Sequence, residues 1–180
     1  MEIVRDPKQV EQLAGQREDE NWEFRAWIKG HGPDDDALNE LVQSLTDQVW
    51  AEMDCTQCAN CCRVTSTAVV PDEFALLSRA LGLSVEEFKA SVLRFDNPDK
   101  RWELPAPCPL LAGNLCRVYD DRPQPCRDYP NLHHDFRMHS IARFSNAEIC
   151  PIVFNVIELL KLELRWPGLR RRRGGSRRRR

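Results

Sequence analysis

The sequence predicts a mainly α, small single domain with an irregular Cys-rich middle organised by metal. Three observations predict it. Apolar residues recur at helical spacing near both ends of the chain. The stretch from Asn97 to His139 is rich in Pro, Asp, Asn and Cys and keeps no such period. Eight cysteines are present among 180 residues, and four of them fall between Cys55 and Cys62. A chain of this length buries enough surface to fold without disulfides, and 42% hydrophobic with 30% charged residues is an ordinary globular mix.

Asp6-Pro7 supplies an N-cap and a first-turn proline for a short helix that Gly15 stops. Trp22, Phe24, Trp27 and Ile28 follow as an apolar patch, and Gly30-His31-Gly32-Pro33 breaks the chain. Leu38, Leu41, Val42, Leu45, Val49, Trp50 and Met53 then fall on one helical face, with Asp34, Asp35 and Asp36 at the end where the helix dipole favours negative charge. That helix delivers the chain to Cys55. Val64 to Val70 reads as a short strand or extended loop, and Pro71-Asp72-Glu73 opens a helix stopped by Gly82. Ser84 and Glu87 have capping-box spacing ahead of Val85, Phe88, Val92 and Leu93. Asn97 to His139 is expected to be mostly irregular, which calls for an ordering agent such as a metal. The last helix is expected from Pro151 to Arg165, ended by Pro167-Gly168.

Cys55-x2-Cys58-x2-Cys61-Cys62 is followed by Cys108, Cys116, Cys126 and Cys150. Two-residue spacing folds a tight knuckle that turns two sulfurs toward one ion. Cys61 and Cys62 are adjacent, so their side chains should diverge; either they serve two centres or one of them lies outside the site. Eight cysteines could also form disulfides, but no secretion signal supports that. Inert buried thiols explain scattered cysteines, not four in one short run. Crowded thiolates repel unless a cation compensates them, so all eight are candidate metal ligands. Zinc ribbons require two separated CxxC knuckles, and the second half of the chain has none. The C-x2-C-x2-C run is shared with bacterial ferredoxins, where a remote Cys-Pro completes the set, and this chain offers Cys108-Pro109 and Cys150-Pro151. An iron–sulfur cluster and Zn2+ both remain open on this pattern.

The blocks CxxCxxCC, Cys108-Pro-Leu-Leu and Cys116-x2-Tyr119-x2-Arg122-Pro123-x2-Cys126-Arg127-x2-Pro130 together resemble the YkgJ-type CxxCxxCC cysteine-cluster family. The resemblance runs from Cys55 to Cys150. It implies a zinc- or iron-chelating domain, and flagellin lysine N-methylases contain a similar one. It implies a metal centre and no settled reaction.

Arg63, Arg117, Arg122 and Arg127 sit beside cysteines, where a guanidinium offsets thiolate charge or, alternatively, anchors a loop or pairs with Asp120 and Asp121. His31, His133, His134 and His139 are not needed as ligands, and Tyr119 and Tyr129 read as packing residues. The expected organisation is an acidic N-terminal helical region (1–54), a cysteine-cluster metal-binding domain (55–150), a C-terminal helix packing on it (151–168) and a disordered Arg-rich tail (169–180). Residues 1–54 carry 14 acids against 5 bases, whereas Arg170–Arg180 holds 8 arginines and no acid. The tail suggests weak, nonspecific nucleic-acid binding, or it folds back on the acidic region or presents a surface to a protein partner. The acidic start and the lack of a long apolar run lead to the expectation of a cytoplasmic protein with no membrane contact. No GxGxxG, P-loop, HExxH or GxSxG motif occurs, so no nucleotide-dependent or hydrolytic reaction is indicated. Three functions fit: a metal chelator, a cluster-dependent oxidoreductase or protein N-methylase-like enzyme, and a structural zinc module presenting an interaction surface.

Overall fold

The structure, a computed structural model, describes residues 1–169 and is mainly helical, with only small sheets. In chain order its elements are α1 (Pro7–Gln16), α2 (Glu18–His31), α3 (Asp35–Trp50), α4 (Cys55–Cys58), α5 (Asn60–Val64), β1 (Thr67–Val69), α6 (Pro71–Ala80), α7 (Val85–Ser91), β2 (Arg94–Asp96), β3 (Arg101–Leu104), β4 (Leu111–Ala112), β5 (Leu115–Cys116), α8 (Gln124–Asp128), α9 (Ser140–Ser145) and α10 (Pro151–Glu163). A single 3-10 turn, Asn146–Glu148, precedes α10. No helix among the described residues is long and apolar enough to cross a membrane.

The described residues divide into two compact units, 1–53 with 130–169, and Asp54–Tyr129. The first unit is built around α10, in which every residue from Pro151 to Lys161 is buried. A helix apolar on all sides needs neighbours on all sides, and within this unit α1, α3 and α9 pack against it. Residues 130–169 share a unit with the N-terminal helices, and within that unit α10 has its packing partners. Arg170–Arg180, most of the expected tail, lies outside the described residues.

α1 starts as expected, with the Asp6 carboxylate accepting from Lys8 N and Gln9 N at 2.7 and 3.0 Å. The apolar patch at Trp22–Ile28 is a full helix that runs through Gly30 and stops only at Gly32. Phe24, Trp27 and Ile28 share a helical face, and Glu18, Asp19 and Glu20 occupy the first turn, which outweighs the cost of one glycine. Phe24 packs against Phe144 and Trp166 with ring centroids 6.1 and 5.3 Å apart. Asn155, fully buried on α10, accepts from Val4 N and donates to Val4 O, tying the N-terminal segment down.

The buried charge of Lys161 is compensated. Lys161, 0% exposed, donates from Nζ to Glu20 Oε1 (2.8 Å), Asn21 Oδ1 (2.6 Å) and Glu158 Oε1 (2.7 Å). Arg17 Nη1 reaches the other oxygen of Glu158 at 2.5 Å. All three ammonium protons are used, which is what makes a buried lysine tolerable.

The second unit has its own core of Val69, Phe74, Leu77, Phe88, Leu93, Leu104, Leu110 and Val118. These residues come from α6, α7, the sheet and the chain after it. β3 is the centre of an antiparallel sheet of order β1-β3-β2, with Thr67 opposite Leu104 and Phe95 opposite Trp102. Gly82, at φ +70°, stops the chain after α6 as a left-handed residue must. Ser84 and Glu87 form the expected capping box. The stretch from Asn97 is less irregular than its composition suggests. It holds β3 and the β4–β5 hairpin, strands too short and too closely flanked by prolines to show a period of two.

Lys161→Ala should lower the unfolding free energy by about 3–5 kcal/mol, because it removes a buried cation from the buried Glu158 carboxylate. Urea denaturation checks this, and a loss under ~1 kcal/mol, typical of an exposed pair, would mean the network is not buried in solution.

Candidate metal centre

Asp54 caps α4, accepting from Thr56 N at 2.8 Å and Thr56 Oγ1 at 2.6 Å, and these bonds hold its carboxyl below the usual range. Cys55 and Cys58 stand at the two ends of this single turn. Ala59 then takes a left-handed conformation (φ 49°), which ends α4 and starts α5 in a new direction. Cys61 and Cys62 fall in the first turn of α5.

The second half of the cluster is brought in by backbone. Cys108 N donates to Cys62 O at 2.8 Å, laying the Cys108 segment along α5. Cys116 lies on β5, paired with Leu111 across the hairpin. Cys126 lies on α8, where its thiol is hydrogen-bonded to Thr67 of β1. Glu73 of α6 fixes α8, its Oε1 accepting from Gln124 N at 2.7 Å. Seven of the eight cysteines thus belong to the second unit. Cys150 belongs to the first, buried at the N-cap position of α10. His133 and His134 are also in the first unit, where His133 stacks on Trp50.

Ionised Cys62 opposes the ionisation of Cys55, Cys108, Cys116 and Cys126, thiols from four different segments, although burial is the larger effect at each. Cys61 and Cys62 do not diverge as adjacent side chains were expected to. They share a hydrogen bond, and that bond, with the charges of Arg63 and Arg122, pulls the Cys62 thiol down to about 6. Burial pushes Cys55, Cys108 and Cys116 up, and Cys126 up to about 11.

Three of the four arginines take different roles. Arg122 lies 3.6 Å above the Tyr119 ring and donates from Nε to Tyr119 O at 2.7 Å, and its charge reaches Cys55, Cys62 and Cys116. Arg63 donates to Cys58 O at 2.8 Å and also offsets Cys62. Arg127 instead holds the Gln124 side chain at 3.0 and 3.3 Å. Sequence reasoning missed Thr67, Glu73 and Asn114 as organisers of the site. Only Asn114 left a signal, the Gly113-Asn114 turn between two short apolar pairs.

Among the described residues no three Cys, His, Asp or Glu side chains are drawn together tightly enough to hold one metal ion. The donor set nonetheless fits a thiophilic metal in its chemistry. Soft thiols from separate segments are within electrostatic reach of one another, with two fixed guanidinium charges beside them. The segments also need an ordering agent, since α4, α5 and α8 bury no side chain.

In the metal-free chain at pH 7, Cys62 should be alkylated first and Cys126 last, because only a thiol pulled down to about 6 is largely thiolate there. The Cys62 rate should fall as the pH drops through 6. Peptide mapping by mass spectrometry reads both, and uniform labelling would contradict the arrangement.

Residues 54–151 match the family model CxxCxxCC, described as "Putative zinc- or iron-chelating domain". The match opens at Asp54, the first residue of the second unit, and runs on to Pro151 in the first. No curated protein and no solved structure matches the chain. With more than half its length matched, the chain belongs to the CxxCxxCC family of zinc- or iron-chelating domains.

Proposed function

We propose that this chain is a metal chelator whose second unit binds its metal through cysteine thiolates gathered about Cys62. The observation that carries this reading is the match of residues 54–151 to the zinc- or iron-chelating family model, with seven cysteines in one compact unit and Arg63 and Arg122 beside Cys62 as countercharges. In the metal-free site the Cys62 thiol is pulled down while burial pushes Cys55, Cys108, Cys116 and Cys126 up. An arriving cation reverses the balance, because it stabilises every thiolate it touches and releases their protons.

Cys55, Cys58, Cys61 and Cys62 supply one side of the site, and Cys108, Cys116 and Cys126 the other. Cys150 stays a candidate through its place within the matched region. Of the two metals, an iron–sulfur cluster suits the C-x2-C-x2-C run better than zinc, whose ribbon sites use paired knuckles. A cluster would supply one-electron chemistry, and zinc would supply a structural cross-link. The chain's own residues do the same work in either case. Asp54 caps the knuckle, Arg122 offsets charge from its seat on Tyr119, and Thr67 and Glu73 hold α8 to the unit's core.

Iron, acid-labile sulfide and zinc should be measured on protein purified without oxygen. Iron with sulfide and broad visible absorption supports a cluster, and stoichiometric zinc without colour supports a zinc site. Cys58→Ser should lower the metal bound per chain; unchanged stoichiometry removes Cys58 from the site. Chelation should speed amide exchange in 54–64, 108–117 and 124–129 while leaving Leu77 and Phe88 protected, since those lie in an apolar core that needs no metal.

A further inference from the structure

We propose that Asn114 and Arg63 form a clasp that fixes the Cys55–Cys58 knuckle against the β4–β5 hairpin before metal arrives, making both of them positioning residues for the thiolate site. The inference rests on the chelation reading above.

The geometry is a closed polar ring. Arg63 Nη1 donates to Cys58 O at 2.8 Å, and Nη2 donates to Gly113 O at 3.3 Å and to Asn114 Oδ1. Asn114 Nδ2 completes the ring by donating to Gln57 O at 2.7 Å, across 57 residues of chain. The two knuckle carbonyls are those of Cys58 and the residue before it. A helix of one turn leaves such carbonyls unsatisfied, and here side chains from α5 and from the hairpin turn satisfy them. Gly113, at φ +64°, makes the turn that aims Asn114 at the knuckle. Cys116 follows two residues later on β5, held by its pairing with Leu111. The distance from the knuckle to the Cys116 strand is therefore set by a rigid path of hydrogen bonds.

Stability does not explain this arrangement. Arg63 and Asn114 are exposed, and exposed polar contacts add little to folding. Their effect is geometric. They bind α4, which buries no side chain, to a strand that carries another cysteine. Charge alone does not explain it either, since a bare cation would not need the two-pronged contact to Cys58 O and Asn114 Oδ1.

The test titrates Co2+ alone into the full metal-free chain without oxygen, following the thiolate-to-cobalt charge-transfer band. Asn114→Ala and Arg63→Lys should each weaken Co2+ about 10–100-fold, the usual effect of removing a group that orients a ligand. Ser84→Ala, which removes the α7 cap in the same unit, should leave Co2+ affinity unchanged. In the metal-free chain, Asn114→Ala should also speed amide exchange across Cys55–Ala59. Wild-type affinity in Asn114→Ala would overturn the clasp. Wild-type affinity in Arg63→Lys would overturn it too, by assigning Arg63 to charge alone. Equal weakening by Ser84→Ala would reduce the effect to lost stability, which also contradicts the proposal. If the wild-type chain takes up no Co2+, the chelation reading fails, and the proposal with it. If the wild type binds and the variants match it, only the clasp fails.

Discussion

Seven thiols share the second unit with very little apolar surface of their own, and the rest of its structure answers to that constraint. Ionised thiolates repel one another, so a metal-free cluster can hold only a limited negative charge. The fold keeps one thiol low, Cys62, through its bond to Cys61 and the nearby guanidiniums, while burial pushes Cys55, Cys108, Cys116 and Cys126 up. The segments that carry the cysteines are therefore held by polar contacts at their edges. Asp54 caps α4, Glu73 and Thr67 hold α8, and Cys108 N bonds to Cys62 O. Hydrophobic order is supplied next door by α6, α7 and the three-stranded sheet.

The first unit solves a different problem. α10 is apolar all round yet carries a lysine and a glutamate inward, and the Lys161–Glu20–Glu158–Arg17 network makes that burial tolerable. The acidic character of the N-terminal sequence follows in part from this. Glu20 is a partner for a buried cation, while Asp6 and Asp34 are helix caps.

Much of this was legible from residue order alone. Caps, prolines and apolar periods placed α1, α3, α6, α7 and α10 within a residue or two, because those signals act over a single turn. α2 was missed because Gly30 reads as a break, although three acids and a three-four apolar spacing outweigh it. The partition of the chain was not legible, since which helices surround α10 depends on contacts across more than a hundred residues. The cysteine motif pointed to the chemistry of the site and left its centre unmarked. Adjacent cysteines look divergent on paper, whereas Cys61 and Cys62 are hydrogen-bonded to each other. Long-range organisers such as Thr67 and Glu73 carry no local signature at all.

X-ray absorption at the metal edge, on the chain purified without oxygen, tests the central claim most directly. Gathering about Cys62 predicts that the atoms nearest the metal are mainly sulfur, at about 2.3 Å, and that Cys62→Ser replaces part of that sulfur signal with a lighter scatterer. Nearest atoms that are mainly nitrogen or oxygen, or a spectrum unchanged by Cys62→Ser, would contradict it.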